Sequence, residues 1–266
     1  MLLLVDAGNT SIKWAVLAPK AEAAPVPLGR WWQAGACTRP QVEQLAAAWR
    51  GMPVTSVLIS NVAGAALRAQ LEQQVRQAFG TAVPLHWFAS QPALAGVRNG
   101  YREPTQLGCD RFAAAIGAHA LFPAQALVVA TCGTATTIDA LTADGRFLGG
   151  MILPGLELMA RVLATDTAQL PPALPSAPPQ ETLQDRFADN TVDAIISGCI
   201  AAQAGAIDRA LALHARAQAP MSTPRCVLAG GAAAWIAPHL ALPCERVENL
   251  VLIGLQVVAN EGGARC

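Results

Sequence analysis

Asp6, Gly8, Asn9, Thr10, Ser11 and Lys13 are residue types that together can hold a metal-bound phosphate. Asp6 ends the apolar run Leu2 to Val5 and is followed at once by Ala7-Gly8, small polar side chains and a lysine. Gly8 lets backbone N–H groups approach phosphate oxygens, Thr10 and Ser11 add donors, and Lys13 adds charge. Asp6 could hold Mg²⁺ directly or through water. The same residues also serve an ordinary β-hairpin turn, so this stretch alone supports both readings equally.

A second copy tips the balance. Leu127 to Leu141 can be laid over the first stretch with Gly133 on Gly8, Thr134 on Asn9 and apolar runs on both sides. Such a repeat predicts two related α/β halves facing each other across a cleft, each presenting a phosphate turn from its first hairpin. In the second copy Thr131 stands at the position of Asp6.

A third group of chemical residues follows the loop Arg98 to Gln106, which carries the only tyrosine, Tyr101. Leu107 to Arg111 leads into a helix predicted over Phe112 to Leu121. Asp110 at that helix start reads as an N-cap, where exposed N–H groups and the macrodipole favour the carboxylate. Arg111 is less easily explained as a cap and suits an anionic ligand such as a carboxylate. Asn190-Thr191 precedes a long helical pattern from Val192 to Ala217 and reads as a helix cap.

These residues need elements to position them. After the first hairpin the pattern predicts a strand at Arg30 to Ala36 and a helix opened by Pro40 with Val42, Leu45, Ala46 and Trp49 on one face. A strand at Val54 to Ser60, a helix at Ala65 to Phe79 and a strand at Val83 to Phe88 complete an α/β layer with crossover helices. The second hairpin runs to Leu148 with Asp144-Gly145 as its turn, before Gly149-Gly150. A helix over Leu156 to Leu163 precedes the loop Pro171 to Pro179. A strand at Arg225 to Leu228 ends in Gly230-Gly231, which reads as a plain turn or as space for a nucleotide. Helices at Ala232 to Leu240 and Leu250 to Asn260 close the second half.

Composition narrows the function class. With 53% hydrophobic residues over 266 positions, the chain can bury a large core and fits one large or two ordinary domains. A formal net charge of +0 leaves no electrostatic footprint for nucleic acid or anionic membrane and favours a small-molecule partner. Seven dispersed cysteines, without a C-x-x-C pair, predict reduced thiols in a cytoplasm. Met1 to Val5 lacks a basic region and reads as a core strand; the apolar tract Phe112 to Ala130 is broken by His119 and Pro123 and fails as a membrane span. There is no G-x-x-x-x-G-K-[ST], H-E-x-x-H or G-x-S-x-G, so P-loop and common hydrolase readings find no support.

The blocks DAGNTSIKW at 6–14, NGYREPTQLGCDR at 99–111, GTATTID at 133–139, GGMILPG at 149–155, NT at 190–191, LAGG at 228–231 and NLVLIGL at 249–255 resemble, in order and spacing, the type III pantothenate kinases. That family is a branch of the acetate and sugar kinase, Hsp70 and actin superfamily, and the similarity runs nearly the whole length. It implies an α/β fold of two duplicated ribonuclease-H-like (actin-like ATPase) domains, 1–115 and 116–266, with a cleft between them. It implies transfer of the ATP γ-phosphate to the 4′-hydroxyl of pantothenate, the first step of coenzyme A synthesis, and a homodimer whose interface completes the pantothenate pocket. Under this resemblance Asp6, Ala7, Gly8, Asn9, Thr10, Ser11, Ile12 and Lys13 form the first ATP phosphate loop, Asp6 also holds Mg²⁺, and Thr134 is the contact from the second loop. Tyr101, Gly108, Cys109, Asp110, Arg111 and Thr191 resemble the pantothenate-binding set, with Asp110 as general base and Arg111 paired to the pantothenate carboxylate. Such enzymes generally carry an Asp where Thr131 stands, beside a monovalent cation, K⁺ or NH₄⁺, so Thr131 predicts a weakened cation site. Two alternatives keep some of these features: an actin-like regulatory accessory protein would keep the phosphate turns, and a kinase of a sugar or another alcohol would keep Asp110.

Overall fold

Leu2–Ala7 forms β1 and Ser11–Leu17 forms β2, an antiparallel hairpin whose strands are apolar nearly throughout because β1 becomes the centre of a sheet covered on both faces. The computed structural model describes residues 1–18, 26–173, 187–218 and 223–262. Gln33–Thr38 (β3) pairs antiparallel with β2, while Ser56–Asn61 (β4) and Leu85–Trp87 (β5) add in parallel, giving the order β3-β2-β1-β4-β5. The helix expected from Pro40 begins as a 3₁₀ turn, Arg39–Gln44, before the short α1, Leu45–Trp49. Val42, Leu45, Ala46 and Trp49 are all buried, as their spacing predicts. Gly64–Phe79 forms α2, whose Leu67, Leu71 and Val75 pack beside Leu3, Val5 and Ala7.

The period-2 geometry of β1 decides what the site can be. Leu3, Val5 and Ala7 point into the core under α1 and α2, so Leu4 and Asp6 point to the opposite face of the sheet. On that face lie α3, Cys109–Leu121, and α7, Leu250–Asn260. The two helices cross closely. A Cβ on Gly117 would sit 2.7 Å from Leu250 O, and one on Gly254 would run into the backbone of Ala113, so both positions admit only glycine. The final helix therefore belongs with the first half, not the second as the chain order suggests. By contacts the chain divides into Met1–Pro123 with Asn249–Cys266, and Ala124–Glu248, where the sequence placed the division at 115/116.

The second unit repeats the first sheet strand for strand. Leu127–Cys132 (β8), Ala135–Leu141 (β9) and Arg146–Pro154 (β10) are antiparallel, and Arg225–Ala229 (β11) and Cys244–Arg246 (β12) add in parallel beside β8. The order β10-β9-β8-β11-β12 matches β3-β2-β1-β4-β5 in sequence of addition and in strand sense. The strand β12 has three residues, two of them exposed, and gives no periodic signal in sequence. Nor did the hairpin of Ala93–Leu94 (β6) and Val97–Asn99 (β7). Gly149-Gly150, read as lying past the hairpin, instead sits inside β10, which continues to Pro154 through a bulge between Phe147 and Gly149.

Leu156–Asp166 forms α4, Thr191–Gln218 forms α5, and Ala233–Ile236 forms α6, followed by a 3₁₀ turn at Ala237–His239. The length and apolarity of α5 would also suit a membrane crossing, but Ile195, Ile196, Ile200, Ile207 and Leu211 are buried in the second core. Most of the proline-rich stretch 171–179 lies outside the described residues.

Candidate active site

The turn expected to hold phosphate is closed by Gly8 N–H donating to Ser11 O at 3.1 Å, leaving Asn9 and Thr10 exposed at its tip. Asp6 lies opposite Lys13 on β2 and beside Ser60 on β4, all on the face toward α3. Its carboxyl is pushed from 3.8 up to about 7, first by burial and then by the charge of Asp110, with Lys13 opposing. Residues 104 positions apart in sequence are thus brought into electrostatic contact. Burial outweighs the Lys13 and Arg111 charges at these two carboxylates, and a divalent cation would add the positive charge that favours their ionised forms. Among the described residues no group of three or more His, Cys, Asp or Glu side chains could hold a metal. Mg²⁺ takes one or two carboxylates and fills its octahedron with phosphate oxygens and water, a demand that Asp6 fits.

Asp110 is in the first turn of α3, but it is not the N-cap; Gly108 holds that position. Its Oδ1 accepts the N–H of Arg111 at 2.8 Å. Burial raises its pKa despite this bond and the nearby guanidinium, so desolvation outweighs the helix terminus that was expected to favour the charged form. A Cβ on residue 108 would lie 2.7 Å from Asp110 Oδ1, so glycine is what leaves room for the carboxylate.

Arg111 is buried, its Nη1 donates to Tyr101 Oη at 2.8 Å, and its guanidinium carbon lies 5.6 Å from the centre of the Tyr101 ring. Tyr101 is placed by Asn99, whose Oδ1 accepts the Tyr101 N–H at 3.0 Å while its Nδ2 donates to Pro104 O at 3.0 Å. In sequence Asn99-Gly100 signals only a turn; in the structure the asparagine side chain bridges Tyr101 and Pro104 across the loop. Ser60 was missed as well. It is fully buried at the end of a strand that reads as ordinary core, with its hydroxyl 3.3 Å from Cys109 Sγ.

The second unit holds the other predicted residues. Gly133 N–H donates to Ala135 O at 3.1 Å, as Gly8 does in the first turn, and the two strands then place Thr131 in the register of Asp6. Thr131 is flanked by Thr137 and Ala229, both neutral. The turn around Thr134 is backed by Gly155, whose N–H donates to Thr134 O at 3.0 Å and where any Cβ would strike Gly133 O. Gly230 is held at φ +92 against the Cys132 backbone, which explains the first of its two glycines structurally; a side chain at Gly231 would meet open space. Asn190 is the cap of α5, with its Oδ1 accepting the Asp193 N–H at 3.0 Å, and Thr191 is exposed at the first helical position.

A sequence model of the type III pantothenate kinases matches residues 2–213. The chain belongs to the type III pantothenate kinase family. A relative of that name from Janthinobacterium sp. (strain Marseille) is 58% identical over 268 residues, covering 100% of both chains. Among solved structures, a protein named a Baf family transcriptional activator from Campylobacter jejuni matches with TM-score 0.57 at 18% identity, covering 98% of this chain and 99% of its own. One named a 2-dehydro-3-deoxygalactonokinase from Sinorhizobium meliloti matches with TM-score 0.58 at 15% identity, covering 100% and 99%. These two likenesses show the fold, two ribonuclease-H-like halves, and no activity.

Proposed function

We propose that this member of the family transfers the γ-phosphoryl group of ATP to the 4′-hydroxyl of pantothenate. The observation that carries the reading is the pairing of Asp6, at the tip of the central strand, with Asp110, at the start of a helix on the same face of the sheet. Phosphoryl transfer asks a protein mainly for positioning and neutralisation of charge. The turn from Ala7 to Lys13 cradles donor phosphates, Thr134 contributes from the second turn, and Asp6 holds the Mg²⁺ that accompanies ATP and offsets charge on the phosphates. Asp110 orients the acceptor hydroxyl and takes its proton; a raised pKa brings such a base closer to the working pH. Tyr101, Gly108, Cys109, Arg111 and Thr191 make up the rest of the acceptor site. Because Arg111 already donates to Tyr101, the two recognise the substrate carboxylate as a unit.

The alternatives make different demands. An actin-like regulator has no use for a half-buried carboxylate beside Asp6, and a sugar kinase has none for the Tyr101 and Arg111 pair. Transfer from γ-labelled ATP across pantothenate, sugars and acetate tests all three: label on pantothenate alone is expected, and label on a sugar or on nothing overturns the proposal. We also propose that the chain works in the cytoplasm as a homodimer, a reading supported by the exposed apolar Leu148, Met151 and Ile152 on β10.

A further inference from the structure

The end of β4 touches both halves of the candidate chemistry. Val62 N–H donates to Ala7 O at 3.2 Å, which ties the corner after β4 to the first phosphate turn. One residue earlier, Asn61 O accepts from Cys109 Sγ at 3.6 Å, which ties the same corner to the first turn of α3. Ser60 Oγ, 3.3 Å from the same sulfur, completes a chain in which the hydroxyl donates to the thiol and the thiol to the carbonyl. Ser60 is 1% exposed, so its hydroxyl has no water to turn to. Burial pushes the Cys109 thiol up, which keeps its proton available as the middle donor. The side chain of Asn61 locks the corner from outside, with Oδ1 accepting the Ala63 N–H at 2.9 Å and Nδ2 donating to Gly64 O at 3.1 Å.

We propose that Ser60 is a positioning residue: through Cys109 it fixes the first turn of α3, and hence Asp110, at a set distance from the Asp6 turn. Ser60 touches neither nucleotide nor acceptor. It sits in register with Asp6 on the neighbouring parallel strand, and its partner Cys109 immediately precedes Asp110 in the chain. A shift of α3 along the sheet leaves both sites formed but moves the acceptor hydroxyl off the line of the γ-phosphate, and a misplacement of about 1 Å can cost on the order of 100-fold in rate.

This inference rests on the kinase reading, and the experiment separates the two. Ser60→Ala is expected to lower kcat on the order of 10-fold, and Cys109→Ala, which also removes an acceptor-site side chain, by at least as much, with KM for ATP and Tm near those of the natural protein. Their double variant should be no slower than the worse single one, because both remove one link. Cys109→Ser, which keeps a donor and an acceptor at the middle of the chain, should restore most of the turnover. Unchanged kcat in both single variants, or losses that multiply in the double variant, overturns the proposal. Should Ser60→Ala not fold, Cys109→Ala breaks the same link from the other side. If the natural protein phosphorylates no pantothenate, the kinase reading fails by itself. Crystal structures of the natural protein and Cys109→Ala then decide the positioning claim, with a displaced Asp110 carboxylate supporting it and an unmoved one overturning it.

Discussion

In the proposed reaction Asp110 serves the acceptor and Asp6 the donor, and each role has its own test. Asp110→Asn keeps the size of the side chain and the bond from the Arg111 N–H, so fold and ligand binding should persist while turnover falls on the order of 10²–10⁴-fold. Near-normal turnover would reduce Asp110 to a residue that satisfies a helix terminus. For Asp6 the test is stability. Its carboxyl titrates at 3.8 when unperturbed and at about 7 in the fold, so the fold favours the protonated form. That contribution is fully present below 3.8 and is lost as pH rises through about 7. In EDTA and without nucleotide, Asp6→Asn should therefore gain Tm relative to the natural protein, by a margin that widens across this window and then levels off. A margin that does not vary with pH means that Asp6 is not desolvated as described. Thr131 offers a neutral hydroxyl, beside neutral Thr137 and Ala229, where relatives are expected to carry a carboxylate. At an effective dielectric near 20, a unit charge ~4 Å away is worth roughly 4 kcal/mol before desolvation, so monovalent-cation activation should be weak and Thr131→Asp should increase it. Turnover compared in K⁺, NH₄⁺, Na⁺ and Tris buffers decides this; strong K⁺ dependence unchanged by the substitution would mean that other groups build the site.

At the scale of elements, the crossing of α3 and α7 is what holds Asp110 against the sheet. Gly254 lies so close to the Ala113 backbone that the helices must part if a methyl is added. Gly254→Ala should cost about 1–3 kcal/mol or more, the range for forcing atoms into a packed site. Urea denaturation followed by tryptophan fluorescence measures it; a midpoint equal to that of the natural protein would show that the helices slide apart freely. The same helix carries Gln256, fully buried and used on both sides. Its Oε1 accepts from Gly29 N–H at 3.0 Å and Trp31 Nε1 at 3.2 Å, and its Nε2 donates to Pro27 O at 3.1 Å. A glutamine in an otherwise apolar helix thus pins the segment that leads into β3. Its sequence neighbours give no hint of this, because every partner is more than 220 positions away.

At the scale of the whole molecule, two copies of one sheet plan are joined in a single chain, and the last helix returns to the first copy. Ile152 is 65% exposed on β10, with Leu148 and Met151 nearby in the strand. If a second copy of the chain covers that strand, Ile152→Glu should shift the protein from dimer to monomer in sedimentation equilibrium while leaving its circular dichroism unchanged. A natural protein that sediments as a monomer removes the dimer from the account.

The repeat of Leu2–Val16 in Leu127–Leu141, the helical stripes of α2 and α5 and the order of the motif blocks were all legible in the sequence, because each rests on local spacing or on turn chemistry that neighbouring residues must satisfy. The family and the residues around Asp6 and Asp110 were legible for the same reason. Only the tertiary structure decided that α7 packs on α3, that Asp110 is desolvated, that Asn99 accepts from Tyr101 and that Ser60 lies against Cys109. A three-residue strand such as β12, a close crossing at two distant glycines and a buried serine carry no periodic signal. Their meaning lies in contacts between residues far apart in the chain, which no local pattern records.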